Sequence, residues 1–340
     1  MSDGIPRIGV IADTTLQGHL LSSAIRGQGY NVVVNTDPGN LEEQWYTSDD
    51  VDLWAVDLVQ EDQWNTFLDR ILEESDTPIL FCDGQAPARN SPEYPRWERR
   101  LLTKMLDYVD RPTVVERLDD LEAAAPKAAP LPVPSEFRHL KPASAVQHVW
   151  VLGASLGGPA AVKPFLDSLP AELPVAFILA QHIDQSFLET LSKVLCRDNG
   201  FDCTVGYEGT ALRHGQVVIA PTEYAVDFTD TGILVNTGKD WEGPYAPSID
   251  QVINNVSARF GAHSGAILFS GMGNDGSIAG PQMVERGGLV WAQTADTCAC
   301  SSQPDSARET GCVTFSGSPE HLARALVEHV RQSLRVAAPM

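Results

Sequence analysis

The sequence contains no long hydrophobic run. Among its 340 residues, no stretch approaches the roughly 20 consecutive apolar residues that a membrane-spanning helix requires. The N-terminal Met-Ser-Asp-Gly has neither the basic flank nor the apolar segment that is typical of a secretory signal. We therefore expect a cytoplasmic protein that does not insert into a membrane.

Positive charge is scarce. The chain carries 24 Lys and Arg residues against 45 Asp and Glu residues, which gives a net charge of −21 with neutral histidines. A strongly negative protein is repelled by a phosphate backbone. The charge balance therefore excludes general nucleic-acid binding and predicts that the partner is a protein or a neutral chemical group.

Cysteine is also sparse, with six residues in the chain. In a reducing cytoplasm we expect all of them to be thiols, because disulfides are rare there. Cys298 and Cys300 are too close in sequence for the usual zinc pattern, and Cys196 and Cys203 have no second Cys or His pair nearby. The sequence thus predicts free thiols and no structural zinc site.

The length favours two domains over one, because a single hydrophobic core usually stops growing at about 250 residues. A boundary is visible in residues 123–147, which are rich in Ala and Pro. Proline fixes φ and removes a backbone donor, so this composition predicts a semi-rigid linker. We therefore divide the chain into an N-terminal domain at 1–122, the linker at 123–147 and a C-terminal domain at 148–340.

Strand and helix patterns alternate in the N-terminal part. Predicted buried strands lie at residues 8–12, 31–34, 53–56 and 78–82. Alternation of this kind predicts an α/β fold with a doubly wound parallel sheet, whose functional residues lie at the carboxyl ends of strands. Asp13 and Asp57 stand at two such ends.

The run DLWAVDL at 52–58 resembles the third strand of response-regulator receiver domains. The resemblance implies that Asp57 accepts a phosphoryl group from a chemotaxis histidine kinase, and that Asp13 and Asp57 bind Mg²⁺ for this chemistry. The chain departs from the receiver pattern at Cys82, where receivers have Ser or Thr, and at 114–117, where no Lys is present. The alternative is that Asp57 is an ordinary acid at the end of a strand.

The C-terminal part begins with an apolar run at 149–152 that leads into GASLGG at 153–158 and then a helical pattern. This is the GxSxG form, in which small residues permit a sharp strand-to-helix turn that presents Ser155 at a sheet edge. Free N–H groups at such a helix start can receive an oxyanion. A nucleotide-binding turn is the alternative, but it would need Gly at position 155 and an acid, not Gln-His, after the next strand at 175–180.

Two further strands end in residues that complement a serine. His182 follows the second apolar strand, and Asp275 lies in GMGNDG at 271–276 after a third. Each has a structural alternative, because a lone His at such a position is often structural and Asp is a common helix N-cap. A hydroxyl nucleophile needs a base, however, and a neutral imidazole needs a carboxylate to fix its tautomer. Ser155, His182 and Asp275 are therefore predicted to meet at one sheet edge.

The order Ser, His, Asp along the chain differs from the Ser, Asp, His order of α/β-hydrolases. The motifs around Ser155, His182 and Asp275 closely resemble those of the chemotaxis protein-glutamate methylesterase family. The runs IAP at 219–221 and PSID at 247–250 also resemble motifs of that family. With the receiver-like segment and the linker, the likeness implies two doubly wound parallel-sheet domains of α/β class, one regulatory and one catalytic.

This resemblance implies hydrolysis of γ-glutamyl methyl esters on the cytoplasmic helices of chemoreceptors, with glutamine deamidation as a second activity and no cofactor for catalysis. Ser155 would attack the ester carbonyl, His182 would relay the proton, and Asp275 would orient His182. The backbone N–H groups of Leu156 and Met272 would stabilise the oxyanion. Mg²⁺ would be needed only for phosphorylation of the receiver.

Three positions depart from the family. Leu156 stands where members commonly have Thr, Ala246 stands where an Arg is common, and SQP at 302–304 replaces an apolar segment before the proline. These changes predict an altered receptor specificity or a slower turnover. The alternative function is a non-catalytic signalling module that binds receptor or kinase through its acidic N-terminal domain.

Overall fold

The computed structural model describes residues 5–46, 48–83, 86–88, 91, 93–110, 112, 130–137, 146, 148–229 and 231–337. Contacts divide the chain into two compact units, residues 1–115 and 116–340, here the N-terminal and C-terminal units. The predicted segment at 114–117 lies outside the described residues, as does the predicted linker except for 130–137 and 146. No helix in the described part of the chain is long and apolar enough to cross a membrane.

The described residues of the N-terminal unit form a parallel four-stranded sheet. Its strands are β1 (Arg7–Ala12), β2 (Asn31–Thr36), β3 (Leu53–Asp57) and β4 (Ile79–Phe81). Its helices are α1 (Thr15–Gly27), α2 (Glu43–Tyr46), α3 (Asn65–Glu74) and α4 (Tyr94–Met105). The strand order β2-β1-β3-β4 sets Ala12 opposite Asp57. The switch point of a doubly wound sheet therefore lies between β1 and β3, beside Asp13 and Asp57.

The core of this unit is built around the central strand β3, which is buried along its whole length. Trp54 is fully buried, and a Cβ at Gly9 of β1 would lie 2.2 Å from its ring. Only glycine therefore leaves room for this indole. On one side of the sheet, Phe67 and Ile71 of α3 pack in the same cluster as Trp54 and Val56.

The C-terminal unit contains a parallel seven-stranded sheet within the described residues. Its strands are β5 (His148–Ala154), β6 (Val175–Gln181), β7 (Asp202–Val205), β8 (Gln216–Ile219), β11 (Ser264–Leu268), β12 (Leu289–Gln293) and β13 (Val313–Gly317), and an antiparallel pair is formed by β9 (Val226–Phe228) and β10 (Leu234–Asn236). Its helices are α5 (Gly158–Ser168), α6 (Leu188–Leu195), α7 (Ile249–Phe260), α8 (Ala279–Glu285), α9 (Ser302–Glu309) and α10 (Pro319–Ala337). The strand order is β13-β12-β11-β5-β6-β8-β7.

Alternate side chains of β5 enter two separate hydrophobic clusters. Trp150 and Leu152 pack in one cluster with residues of α5 and α10, whereas Val149 and Val151 pack in the other with residues of α7. Successive residues of a strand point to opposite faces, so helices cover both faces of this sheet. The predicted doubly wound α/β fold is thus confirmed for the C-terminal unit.

Residues 130–137 of the predicted linker pack against the C-terminal unit. Phe137 is 2% exposed and belongs to the cluster of Trp150. The Leu131 N–H donates to the Ser168 carbonyl at 2.9 Å, and Glu136 pairs with Arg335 at 2.6 Å. Apolar residues between the prolines thus hold this segment on the surface of the unit.

The prediction that every cysteine is a free thiol is wrong for one pair. Cys196 and Cys203 form a disulfide that joins the end of α6 to β7. The turn between the two elements brings their Cα atoms to 5.8 Å, which is within the usual range for a disulfide. The free cysteines are Cys82, Cys298, Cys300 and Cys312.

Candidate active site

Ser155 lies immediately after β5, at the carboxyl edge of the seven-stranded sheet. Its N–H donates to the Ser270 carbonyl at 3.1 Å, and the His182 N–H donates to the Ala154 carbonyl at 3.1 Å. Ser155 is therefore flanked by the ends of β6 and β11. Gly157 has a φ of 76°, in the left-handed region that favours glycine, and turns the chain into α5. The predicted strand-to-helix turn is confirmed.

His182 and Asp275 are brought together by the fold, although 93 positions separate them in the chain. The His182 Nε2 lies 3.0 Å from the Asp275 Oδ2. The side chain of His182 is 10% exposed and that of Asp275 is fully buried. Because Nε2 faces the carboxylate, the neutral ring carries its proton there. Nδ1 is then the nitrogen with a free lone pair.

The Asp275 carboxylate has a second set of partners at the start of α7. The N–H groups of Ile249 and Asp250 donate to its two oxygens at 2.6 and 3.0 Å. A helix N-terminus stabilises a negative charge, so these bonds favour the ionised form. The alternative that Asp275 is only a helix cap is partly right, because it caps α7 and not the helix that follows it in sequence.

Asp250 performs the reciprocal role. Its Oδ1 accepts hydrogen bonds from the N–H groups of Ile278 and Ala279 at 3.0 and 2.6 Å, at the start of α8. The PSID segment and the loop that carries Asp275 thus bind each other through two carboxylates. These reciprocal hydrogen bonds explain why the PSID motif ends in an acid. The sequence pointed to the motif but assigned no contact to Asp250.

Tyr245 is a site residue that the sequence reasoning missed. Its ring stacks on the His182 ring, with centroids 4.8 Å apart and planes inclined by 6°. Its hydroxyl lies 3.3 Å from the Asn274 Oδ1 and donates to it. The only sequence signal was its place two residues before PSID. The Tyr245 ring, stacked on His182, restricts rotation of the imidazole and keeps its Nε2 directed at Asp275.

The predicted oxyanion donors, Leu156 and Met272, lie in loops beside Ser155. The N–H groups on either side of Met272 are engaged, since Gly271 donates to the Cys300 carbonyl and Gly273 donates to the Ser302 Oγ. Within the described residues, no hydrogen bond is formed by the N–H of Leu156 or of Met272. Both groups are therefore available to an incoming oxygen.

Gly271 permits the close approach of this loop to the serine. A Cβ at Gly271 would lie 3.0 Å from the Ser155 Cβ and 2.4 Å from the Gln303 Oε1. Gln303 is fully buried, and its amide group donates to the carbonyl of Gly153 at 3.2 Å. On the other side, the Gln181 amide donates to the Ser155 carbonyl at 2.9 Å. Buried amides thus fix the backbone on both sides of Ser155.

The two candidate Mg²⁺ ligands of the N-terminal unit, Asp13 and Asp57, lie in environments that differ from each other. The two oxygens of Asp13 accept hydrogen bonds from the N–H groups of Val59 and Gln60 at 3.0 and 2.9 Å. Asp57 is buried at the end of β3. Burial, with a contribution from the Asp57 charge, raises the pKa of the Cys82 thiol to about 12.

The Mg²⁺ site that the sequence predicts would be held by Asp13 and Asp57. Magnesium in proteins is usually held by one or two carboxylates and several waters, and each oxygen of Asp13 accepts one N–H hydrogen bond from the loop after β3. Across the described residues, no group of three or more His, Cys, Asp or Glu side chains is arranged to hold a metal ion. Binding of Mg²⁺ by Asp13 and Asp57 therefore stays a prediction.

Comparison with known proteins matches the C-terminal unit to one protein family. The sequence model of the family described as CheB methylesterase matches residues 150–326, which is more than half of the chain. The chain belongs to the CheB methylesterase family. Ser155, His182 and Asp275 all lie inside the matched region, as do Leu156 and Met272. The N-terminal unit lies outside it.

Individual relatives agree with this assignment. A protein-glutamate methylesterase/protein-glutamine glutaminase from Burkholderia pseudomallei is 26% identical over 275 residues, which cover 77% of this chain and 79% of the relative. One from Anaeromyxobacter dehalogenans is 31% identical over 205 residues, covering 58% of this chain and 57% of the relative. The solved CheB methylesterase catalytic domain of Thermotoga maritima has a TM-score of 0.52 and 23% identity, and the match covers 54% of this chain and 98% of that domain. The structural match supports the fold of the C-terminal unit.

Proposed function

We propose that the protein is a serine esterase that hydrolyses γ-glutamyl methyl esters on the cytoplasmic helices of chemoreceptors. One observation carries the proposal: the His182–Asp275 pair stands at the sheet edge beside Ser155, in a chain of the CheB methylesterase family. The relatives' names supply the substrate class, a protein glutamate ester or glutamine amide. The cytoplasm follows as the proposed location, because those receptor helices lie there.

The reaction begins with proton transfer from Ser155 to Nδ1 of His182. As the proton leaves, the serine Oγ attacks the carbonyl carbon of the ester. The carbonyl oxygen of the ester then becomes an oxyanion. The N–H groups of Leu156 and Met272 are the proposed donors to this oxygen. Asp275, held ionised by the start of α7, stabilises the imidazolium that His182 becomes.

The tetrahedral intermediate then collapses. The imidazolium gives its proton to the methoxy oxygen, the carbon–oxygen bond breaks, and methanol leaves with Ser155 acylated by the glutamyl side chain. Water attacks this acyl group with His182 as base, which releases the glutamate carboxylate and restores the serine hydroxyl. With a glutamine side chain, the same steps release ammonia in place of methanol, which accounts for a deamidase activity.

The N-terminal unit is proposed to regulate access through protein contacts, in keeping with its acidic composition. A chemotaxis histidine kinase would be a partner if Asp57 accepted a phosphoryl group. No step of the esterase mechanism depends on Mg²⁺ or on phosphorylation of Asp57.

Methanol release from a methylated receptor separates the enzyme from a module that only binds. We expect the full-length protein to release methanol and the Ser155→Ala variant to release none above background. Ser186→Ala, at an exposed serine in the loop after His182, is the matched control and should retain the wild-type rate. Receptor binding without Ser155-dependent methanol release would favour the non-catalytic alternative.

A further inference from the structure

A groove of about 390 Å³ opens at the same carboxyl edge of the sheet as Ser155. Its walls come from α6 and the residues before it, from the end of β7, and from the loop that follows β8. The residues used below are Glu189, Tyr207, Glu223 and Tyr224. The disulfide between Cys196 and Cys203 joins two of these walls.

The groove and the nucleophile lie at the carboxyl edge of one sheet. Along the sheet, β8 is the second neighbour of β5, and adjacent strands are spaced by about 4.8 Å. The ends of β8 and β7, which line the groove, are therefore about 10 to 14 Å along the sheet from the end of β5 that carries Ser155. Gln185, which also lines the groove, follows His182 by three residues.

The chemistry of the groove is acidic and aromatic. Glu189 and Glu223 are exposed, and within the described residues neither forms an ion pair. Tyr207 is 65% exposed, and its ring lines the groove with that of Tyr224. No Lys or Arg is found among the lining residues of the described chain. Carboxylates beside aromatic faces suit a cationic side chain.

We propose that this groove binds a Lys or Arg side chain that the substrate helix carries seven residues from the methylated glutamate. The inference rests on the proposed function, in which the substrate is a helix. Seven residues of helix rise about 10.5 Å and make close to two turns, so the cation and the glutamate lie on one face at the required spacing. The groove thus contributes specificity for the receptor sequence and takes no part in bond breaking.

The test uses helical peptides that carry one γ-methyl glutamate and, seven residues to either side, Arg, Gln or Glu. With the full-length protein, we expect the Arg peptide in one of the two directions to have a KM about five- to tenfold below that of the Gln peptide. The Glu peptide should have the highest KM, and kcat should change little, because the groove does not touch the reacting atoms. Raising the salt concentration should reduce the difference.

Paired variants assign the effect to the groove. In the Glu189→Gln, Glu223→Gln double variant, the preference for Arg should be lost while hydrolysis of the Gln peptide continues. Glu172→Gln, Glu285→Gln removes the same charge at exposed positions that precede β6 and β12, at the other edge of the sheet, and should keep the preference. Tyr207→Ala should weaken the preference more than Tyr207→Phe.

Binding separates failure of this inference from failure of the proposed function. Calorimetry of the Ser155→Ala protein measures the affinity for each peptide without turnover, and the Arg peptide should bind most tightly. Equal binding and equal KM for the three peptides would overturn the groove assignment, even with Ser155-dependent hydrolysis intact. Loss of all hydrolysis with Arg-dependent binding intact would overturn the esterase and leave the groove supported.

Discussion

At the scale of single residues, Asp275 has two sets of partners, of which the sequence predicted His182 but not the start of α7. It accepts a hydrogen bond from His182 and two more from the first N–H groups of α7. One carboxylate thus links the orientation of the imidazole to the attachment of a helix. A change at this position is therefore expected to affect both activity and stability.

The Asp275→Asn variant separates these effects. An amide cannot stabilise the imidazolium and presents its NH₂ group to donors, so kcat should fall by about 10²- to 10⁴-fold. The loss of charge-assisted bonds should lower the free energy of unfolding by about 2 kcal/mol. The matched variant Asp250→Asn, which removes similar bonds to α8, should lose comparable stability in urea unfolding. It should keep far more activity, and an equal loss of kcat in both variants would contradict the role of Asp275.

Asp57 provides a second prediction at this scale. Because Cys82 replaces the usual hydroxyl and the segment at 114–117 supplies no Lys, incubation with acetyl phosphate and Mg²⁺ should leave the mass of the protein unchanged. Intact-mass spectrometry measures this, with Asp57→Asn as the control. A phosphoryl adduct that is present in the wild type and absent from the control would show that the receiver is active.

At the scale of elements, the sequence predicted the features that depend on local pattern. The apolar runs of β5 and β6, the glycine turn at 157 and the positions of Ser155 and His182 after their strands all follow from adjacent residues. The contacts that complete the site are not local. The attachment of Asp275 to α7, the stacking of Tyr245 on His182 and the disulfide at Cys196 depend on how distant segments pack, which periodicity does not encode.

The amino end of β5 carries a buried histidine, His148, at the opposite end of the strand from Ser155. It is 4% exposed, and its ring lies 5.5 Å from that of His263 and 6.3 Å from that of His329. Burial, aided by His263, His329 and His214, lowers the pKa of His148 to about 4. Its Nε2 lies 3.1 Å from the Ser333 Oγ of α10. The neutral ring therefore fits this position.

This environment predicts a loss of stability in mild acid. In the unfolded chain His148 binds a proton near pH 6.5, whereas in the folded protein it does so only near pH 4. The contribution of neutral His148 to the free energy of unfolding is therefore complete above pH 6.5 and declines as the pH falls toward 4. At pH 5 the loss is about 2 kcal/mol. Urea unfolding from pH 7.5 to 5 should show a smaller dependence on pH in His148→Gln than in the wild type. The exposed-site control His321→Gln should match the wild type, and equal slopes in all three would contradict the prediction.

At the scale of the whole molecule, the chain combines two α/β units. The C-terminal unit has the fold and the motifs of the CheB methylesterase family, and the paired His182 and Asp275 lie at the same sheet edge as Ser155. The N-terminal unit has a doubly wound strand order. Its Asp13, an expected Mg²⁺ ligand, accepts hydrogen bonds from the loop after β3. The family assignment therefore rests on the C-terminal unit.

The net charge of −21 bears on the choice of partner at this scale. It argues against a nucleic-acid partner, and in the C-terminal unit part of it lines the groove at the sheet edge that carries Ser155. A protein substrate with basic residues near its methylated glutamates would be attracted to this surface. The sign of the charge follows from composition alone, whereas the place of these carboxylates relative to Ser155 follows from the order of strands.

The most direct test of the proposed esterase is methanol release from a methylated receptor, measured with the wild-type protein and Ser155→Ala side by side. The account predicts turnover by the wild type and a decrease of at least about 10⁴-fold in the variant, because the hydroxyl that forms the acyl intermediate is absent. Protein quenched during turnover should carry the glutamyl acyl group on Ser155. Equal methanol release by the two proteins, or acylation at another residue, would contradict it.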